Sequence, residues 1–168
     1  SMARLALRCG RFDACTSYCD AAIRRLTSRN QHPTDTEAFY LKGVAQIYLG
    51  QYDAAYDILY RAAWNYTHRS AAYYLLAVLD CRKGAYADAL KKLELSYGLN
   101  AGHTKARNLK AAILRRLKRP EAAALAAENI AFDPLDCFAA AEAAHAPKFR
   151  DGLAVFAQKP ENLLDVAR

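Results

Sequence analysis

Gly50–Ala55, with the sequence GQYDAA, recurs 34 residues later as Gly84–Ala89, with the sequence GAYADA. The same register extends to both sides of this motif, where small or apolar residues of one copy match those of the next. The matched pairs are Phe39 with Tyr73, Gly43 with Ala77, Ala45 with Leu79, Leu59 with Leu93, and Ala62 with Ser96. A fixed period of this length indicates structural units stacked side by side, each too small to bury its apolar face alone.

Two weaker copies flank the central pair. One period further on, Lys118–Ala123 matches the motif, although Pro120 replaces the aromatic residue of the central copies. Toward the N-terminus, Gly10–Cys15 matches it once six additional residues in 30–35 are allowed for. That insertion contains a His-Pro pair, so we expect it to be a loop.

Each copy is predicted to fold as a pair of helices. Small and apolar residues recur at helical spacing in Glu37–Leu49. Gly50 should end this helix, because glycine adopts left-handed backbone angles without a Cβ penalty. A second helix should then run from Tyr52 to about Asn65. Gly43 is small enough to let the two helices approach closely.

The chain is therefore predicted to be helical throughout. Helices are expected near 3–9, 11–28, 36–49, 52–65, 70–83, 86–98, 103–118 and 120–132. Ser70 and Thr104 are expected to be N-caps, because a hydroxyl there can accept a hydrogen bond from the first helical turn. Beyond the Asp-Pro pair at 133–134, shorter helices are expected over 138–145, 149–157 and 161–167.

This pattern resembles the tetratricopeptide repeat family. The resemblance rests on Phe39, Gly43, Gly50, Tyr52, Ala55, Leu59 and Ala62, and on their equivalents in the following copy. It implies an all-α fold, a right-handed α-α superhelix (a tetratricopeptide solenoid) of about three to four helix pairs with a C-terminal helical cap. The repeats would occupy 1–133, as a half copy at 3–29 and copies at 36–69, 70–103 and 104–133, and 134–168 would form the capping helices.

A second resemblance concerns the C-terminal part of the chain. Ala106–Ala111, Phe132–Asp136 and Pro160–Ala167 occur in an order similar to the C-terminal tetratricopeptide tail of large bacterial proteins. Those proteins carry an uncharacterised sugar-mutarotase-like β-sandwich upstream of the tail. This resemblance implies that the chain is a helical fragment of a larger, carbohydrate-related bacterial protein.

The tetratricopeptide resemblance also implies where a partner binds. In such repeats the first helix of each pair lines the inner surface, and equivalent residues form columns across it. The columns are Tyr40, Tyr74 and Asn108; Val44, Val78 and Ala112; and Tyr48, Arg82 and Arg116. We therefore predict a groove for a peptide with an acidic end, or for a neighbouring domain, lined by Tyr40, Tyr48, Tyr74, Arg82, Asn108, Arg115 and Arg116. For Tyr40 and Tyr74 the alternative interpretation is packing between helices.

The positive net charge of the chain indicates an alternative function. The chain has 24 Lys and Arg against 17 Asp and Glu, and seven of these cations lie between Lys105 and Arg119. A basic helical face can bind nucleic acid, so a nucleic-acid-binding solenoid through 105–119 is the alternative function. Against it, helical RNA readers repeat base-reading polar residues in one column, whereas the columns here change from Tyr to Asn or Arg. A simple solvated helix face explains the same cations.

Trp64 and the histidines have simpler interpretations. Trp64, near Tyr60 and Tyr66, is either part of an aromatic patch for a partner or packs against the next copy. Two of the histidines, His68 and His103, fall in turns between copies. No histidine or cysteine pair has the spacing of metal ligands, so we expect no metal site.

Catalytic chemistry is not indicated. The sequence contains no nucleophile elbow, phosphate-binding loop or zinc-protease motif, so we expect neither an enzyme nor a cofactor. Its five cysteines form no CxxC pair, and we expect them to be buried reduced thiols in a cytoplasmic protein. No apolar run approaches the ~18 residues that span a membrane. The sequence thus predicts a non-enzymatic protein-interaction scaffold.

Overall fold

The computed structural model describes residues 1–28 and 33–144 of the chain. Within these residues it contains nine α-helices and no strand. The helices are α1 (Met2–Arg8), α2 (Phe12–Thr27), α3 (Glu37–Tyr48), α4 (Tyr52–Ala62), α5 (Tyr66–Lys83), α6 (Tyr86–Leu99), α7 (Thr104–Arg116), α8 (Glu121–Phe132) and α9 (Cys137–Ala144). They form two compact units: unit 1, Ser1–Asn100, contains α1–α6, and unit 2, which begins at Ala101, contains α7–α9.

Consecutive helices within each unit pack against each other as hairpins. In unit 1, α2 also packs on α3, and α4 on α5, so each hairpin covers the next one. The predicted division into repeats over 1–133 and a cap over 134–168 stays a prediction. The division between the two compact units falls between Asn100 and Ala101. Of the predicted capping helices, α9 is described, and those over 149–157 and 161–167 lie outside the described residues.

Glycine ends the first helix of the three hairpins in unit 1. Gly10, Gly50 and Gly84 have φ angles of 70°, 75° and 77°, in the left-handed region that favours glycine. The predicted role of Gly50 is thus confirmed. In unit 2 the equivalent residue is Lys118, which has a φ angle of 55°. The fourth copy therefore keeps the left-handed turn although it has lost the glycine.

Helix α5 begins about one turn earlier than predicted, and α4 ends at Ala62 rather than near Asn65. The cause is Asn65, whose side-chain oxygen accepts a hydrogen bond from the backbone N–H of Thr67 at 2.9 Å. The expectation that Ser70 is an N-cap is wrong, since Ser70 lies inside α5. Its hydroxyl donates to the carbonyl of Ser96 at 2.8 Å, and the Ser96 hydroxyl donates to the carbonyl of Ser70 at 2.8 Å.

The core of unit 1 depends on close helix approach at Gly43. A Cβ atom added there would lie 2.5 Å from Cγ and 2.6 Å from Cδ2 of Leu59, which is fully buried on α4. Ala55 and Leu59 then pack against Leu76 and Leu79 of the next hairpin. The small residue at position 43 therefore sets the separation of α3 and α4, as the sequence predicted.

The cysteines differ in their environments. Cys15 and Cys19 are fully buried on α2, and burial raises the pKa of the Cys19 thiol to about 12. The expectation that all five are buried is wrong for Cys9, which is exposed after the end of α1, and Cys81 and Cys137 are only partly buried. All five are free thiols.

His103 caps the first helix of unit 2. Its Nδ1 atom accepts a hydrogen bond from the backbone N–H of Ala106 at 3.2 Å. The expectation that Thr104 is the N-cap is therefore wrong, because α7 starts with Thr104 and the cap is the residue before it. Burial lowers the pKa of His103, and the nearby Lys105 lowers it further, which favours the neutral ring that can act as acceptor.

We expect Gly43→Ala and Gly98→Ala to change stability in opposite directions. Gly43→Ala should lower the free energy of unfolding by about 1–3 kcal/mol, because the methyl group overlaps the buried Leu59 side chain. Gly98 lies inside α6 with nothing within 4 Å of an added Cβ, so Gly98→Ala should raise stability by up to about 1 kcal/mol through helix propensity. Urea unfolding followed by circular dichroism measures both, and equal effects would contradict the proposed close approach.

We expect the cap on α7 to be lost in acid. The folded-state pKa of His103 is lowered, so the unfolded chain binds its proton more readily and the stabilisation falls as pH falls. The contribution should be complete above about pH 6.5, the ordinary histidine value, and should decline by about 1 kcal/mol through the lower folded-state pKa. His103→Asn keeps a capping acceptor that does not titrate. Thermal unfolding between pH 8 and pH 5 should show a steeper decline for the native chain than for this variant, and parallel curves would contradict the assignment.

Candidate functional site

Each of the three hairpins in unit 1 has a first helix: α1, α3 or α5. These three helices lie side by side, since α3 contacts both of the others. Four of the predicted groove residues lie on α3 and α5: Tyr40, Tyr48, Tyr74 and Arg82. We call the surface of unit 1 that carries these four residues the first-helix face.

Tyr40 and Tyr74 are half-buried on this face. The Tyr40 ring stacks on His68, with 5.3 Å between ring centres. Burial raises the pKa of both phenols, and Tyr74 raises the pKa of Tyr40 further, so both hydroxyls are neutral at physiological pH. These two residues thus pack between helices and present only part of each ring to a partner.

Tyr48 and Arg82 are exposed, and a neighbouring ring supports each of them. The Tyr48 side chain is 67% exposed, and its ring stacks on Phe12 with 4.7 Å between centres and 4° between planes. The Arg82 guanidinium lies over the Tyr52 ring, 3.9 Å from its centre. Tyr48 and Arg82 are equivalent residues of successive copies, and so are their supports on α2 and α4. The same contact between copies is therefore made by two different kinds of side chain.

The additional first turn of α5 supplies residues that the repeat period did not predict. This turn brings His68 onto Tyr40. It also contains Arg69, whose guanidinium donates to the backbone carbonyls of Ala63 and Trp64 at 3.0 Å each. The signal in the sequence was Asn65, because asparagine is a strong N-cap and a helix could begin directly after it.

Asn108 is not a groove residue, which corrects the sequence prediction. Its side chain is buried in unit 2, where it accepts a hydrogen bond from Asn129 at 3.0 Å and donates one to Asp136. Asp136 in turn caps α9, because its other oxygen accepts from the backbone N–H groups of Phe138 and Ala139. The amide therefore joins α7, α8 and α9 from the inside and is unavailable to a partner.

The cations of the basic segment 105–119 differ in their surroundings. Arg107 points onto α8, where it donates to Asn129 at 2.9 Å and lies 5.1 Å from the centre of the Phe132 ring. Arg115 is bound to Glu142 by two hydrogen bonds of 2.6 and 3.2 Å, and this pairing raises the pKa of the guanidinium. Arg116 is exposed at the end of α7. Two of the seven cations thus hold unit 2 together.

A cavity of about 220 Å³ opens beside Trp64 in unit 1. We call it the Trp64 cavity; its lining residues are Pro33, Thr34, Thr36, Phe39, Arg61, Trp64 and Asn65. Trp64 follows the end of α4 and is 51% exposed. The Arg61 guanidinium lies over the Phe39 ring, 4.7 Å from its centre. The sequence singled out Trp64 but did not indicate the cavity, because its walls come from two stretches, 33–39 and 61–65, that are separated in the sequence.

Across residues 1–28 and 33–144, no three His, Cys, Asp or Glu side chains converge as metal ligands would. In the same part of the chain, every helix is too short or too polar to cross a bilayer.

Neither a protein-family model nor a curated protein sequence matches the chain. Solved structures resemble it closely in fold. The crystal structure of MamA is 16% identical with a TM-score of 0.75, and the match covers 99% of this chain and 97% of that one. YrrB, described as a TPR protein with an unusual peptide-binding site, is 21% identical with a TM-score of 0.66, over 89% of this chain and 74% of that one.

A third similar structure contains repeats that are nearly identical to one another. It is a putative kinesin light chain with TPR-like repeats from Podosopora anserina, 20% identical with a TM-score of 0.67, and the match covers 99% of this chain and 90% of that one. At such identities a likeness establishes the fold rather than an activity. The chain has the all-α helical-repeat fold of the tetratricopeptide repeat proteins, as the resemblance of its 34-residue repeats to that family implied.

Proposed function

We propose that the chain is a non-enzymatic protein-interaction scaffold, and that the first-helix face of unit 1 binds a peptide segment or a neighbouring domain. One observation carries this proposal. Tyr48 and Arg82 are exposed, yet each is held by a ring beneath it. Exposed aromatic and arginine side chains are the residues that most often dominate binding energy at protein interfaces.

The supporting rings reduce the conformational entropy that the Tyr48 and Arg82 side chains would lose on binding. A free tyrosine or arginine side chain on a surface samples several rotamers, and ordering it opposes association by about 0.5–1.5 kcal/mol. Phe12 stacks on Tyr48, and Tyr52 lies under Arg82, so both side chains are ordered before a partner arrives. Such preorganisation favours a binding role over a purely structural one.

The chemistry of the face favours a partner segment with a carboxylate. Among the described residues, Arg82 has no carboxylate partner, whereas the adjacent Lys83 is paired with Asp53 at 2.8 Å. Arginine presents a planar fork that can bind a carboxylate through two hydrogen bonds. The segment would set an acidic side chain on Arg82 and an apolar one on the open face of Tyr48.

The fold gives this proposal general support. YrrB, which shares the fold, is described as having a peptide-binding site. Fold likeness alone does not transfer a site, so Tyr48 and Arg82 carry the proposal for this chain.

The test uses a peptide selected on the chain from a random display library. We expect Tyr48→Ala and Arg82→Gln each to weaken the binding of this peptide about tenfold, because each removes an ordered anchor at the centre of the contact. Tyr60→Ala is the matched control, since Tyr60 is a similarly exposed tyrosine on α4, outside this face. Calorimetry gives the dissociation constants, and circular dichroism verifies that helicity is unchanged.

If the Tyr60 variant loses binding while the Tyr48 and Arg82 variants keep it, the first-helix face is not the site. If the partner is instead a neighbouring domain of a larger parent protein, that domain would cover the same face within one molecule. In that parent, slow hydrogen exchange over α3 and α5, relative to the isolated chain, would identify the occupant as intramolecular.

The nucleic-acid alternative through 105–119 has weaker support. Arg107 and Arg115 are engaged within unit 2, which leaves fewer cations for phosphates. It predicts that a labelled single-stranded RNA binds with an affinity that falls steeply as salt rises. Binding that Lys105→Ala and Lys118→Ala weaken, and that Tyr48→Ala does not, would favour this alternative over the scaffold.

A further inference from the structure

We propose that the Trp64 cavity is a second binding site of unit 1, for a peptide segment in which a carboxylate lies next to an apolar side chain. The site is separate from the first-helix face. It lies where the segment before α3 meets the end of α4.

The lining determines this choice of ligand. Pro33, Phe39 and Trp64 supply apolar walls, while Thr34, Thr36 and Asn65 supply polar atoms at the rim. Arg61 is the one charged residue among the lining residues, and none of them is acidic. A volume of about 220 Å³ accommodates a side chain of the ligand rather than a folded partner.

Arg61 is available for a carboxylate. Among the described residues it makes no ion pair, and its guanidinium stacks over the Phe39 ring. That contact orients the planar group beside the apolar walls and leaves its N–H groups for an acceptor. A carboxylate from the ligand would complete the site, since an arginine next to an apolar surface forms strong, bidentate pairs.

Hydrogen bonds hold the cavity open without a ligand. The Thr36 hydroxyl donates to the carbonyl of Ala62 at 3.2 Å, and Arg69 holds the carbonyls of Ala63 and Trp64. The Asn65 amide donates to the carbonyl of Thr34. The segment before α3 and the turn after α4 are therefore tied together around the cavity.

The next copy shows that stacking does not require these side chains. One period after Arg61 and Trp64, the chain has Leu95 and Gly98, and nothing lies within 4 Å of a Cβ added at Gly98. The second central hairpin thus folds without a ring or a cation at these positions. Arg61 and Trp64 are additions that the repeat itself does not need, which favours a binding role for them.

A nucleic acid fits the cavity less well than a peptide. Phosphate backbones are bound by several cations in a row, and here one guanidinium faces the cavity. The nearby Arg69 is already engaged with two backbone carbonyls.

The chain contains a single tryptophan, which lines this cavity, so the tryptophan fluorescence of the protein comes from this site. The full chain is titrated with the capped peptide acetyl-Gly-Glu-Leu-Glu-Leu-Gly-amide and with its lysine-for-glutamate counterpart. We expect the acidic peptide to change the emission in a saturable manner. We expect the basic peptide to bind at least about tenfold more weakly, because it offers no acceptor for Arg61.

Arg61→Gln should weaken the acidic peptide at least about tenfold, and Arg61→Lys should weaken it less, since lysine keeps the charge but not the planar fork. Arg82→Gln is the control for the first-helix face and should leave the fluorescence titration unchanged. Circular dichroism verifies that each variant is folded.

Three results would overturn the proposal. The first is the absence of a saturable change with the acidic peptide up to millimolar concentration. The second is a response that Arg82→Gln weakens and Arg61→Gln does not, which would place the peptide on the first-helix face. The third is a salt-dependent response to hexauridylate that is stronger than the response to the acidic peptide, which would identify a nucleic-acid site. Of these results only the second concerns the first-helix face, and it would support binding there, so failure of the cavity proposal is distinguishable from failure of the proposed function.

Discussion

Burial of each hairpin by the next is the interaction on which unit 1 depends. Leu59, Leu76, Leu79 and Leu93 are almost completely buried, and each leucine removed from water contributes about 1.5–3 kcal/mol. A single hairpin would lack the burial that its neighbour provides and could not offset the entropy of ordering its own backbone. The exposed residues that we propose as binding groups owe their fixed positions to this buried seam, because their supporting rings belong to the preceding hairpin.

The period of the sequence predicted most of the fold, because a repeat encodes both its helices and their neighbours. The turns at Gly10, Gly50 and Gly84 and the close approach at Gly43 were readable from local residue types. The start of α5 was not, since the repeat implied a helix from residue 70 while a local cap at Asn65 started it earlier. A strong local hydrogen bond thus overrode the register that the remaining copies share.

The candidate site was predictable only in part. Tyr48 and Arg82 were identified by their column, but a column cannot reveal that Phe12 and Tyr52 lie beneath them. Asn108 was assigned to the groove by a different column, that of Tyr40 and Tyr74, and proved to be buried, because Asn129 and Asp136, distant in sequence, bind its amide. Position within a repeat predicts location well where the copies are alike, and it fails where one copy has replaced apolar packing with a polar network.

The rings at the starts of α2 and α4, which support Tyr48 and Arg82, have an evolutionary consequence. A flat ring from one hairpin accepts either a phenol or a guanidinium from the next, and the backbone keeps the same path in both cases. Selection can therefore exchange a tyrosine for an arginine at this position of each hairpin without a compensating change in the buried core. Recognition and foldability are decoupled at these positions, so arrays of this kind can diversify their partners faster than their architecture.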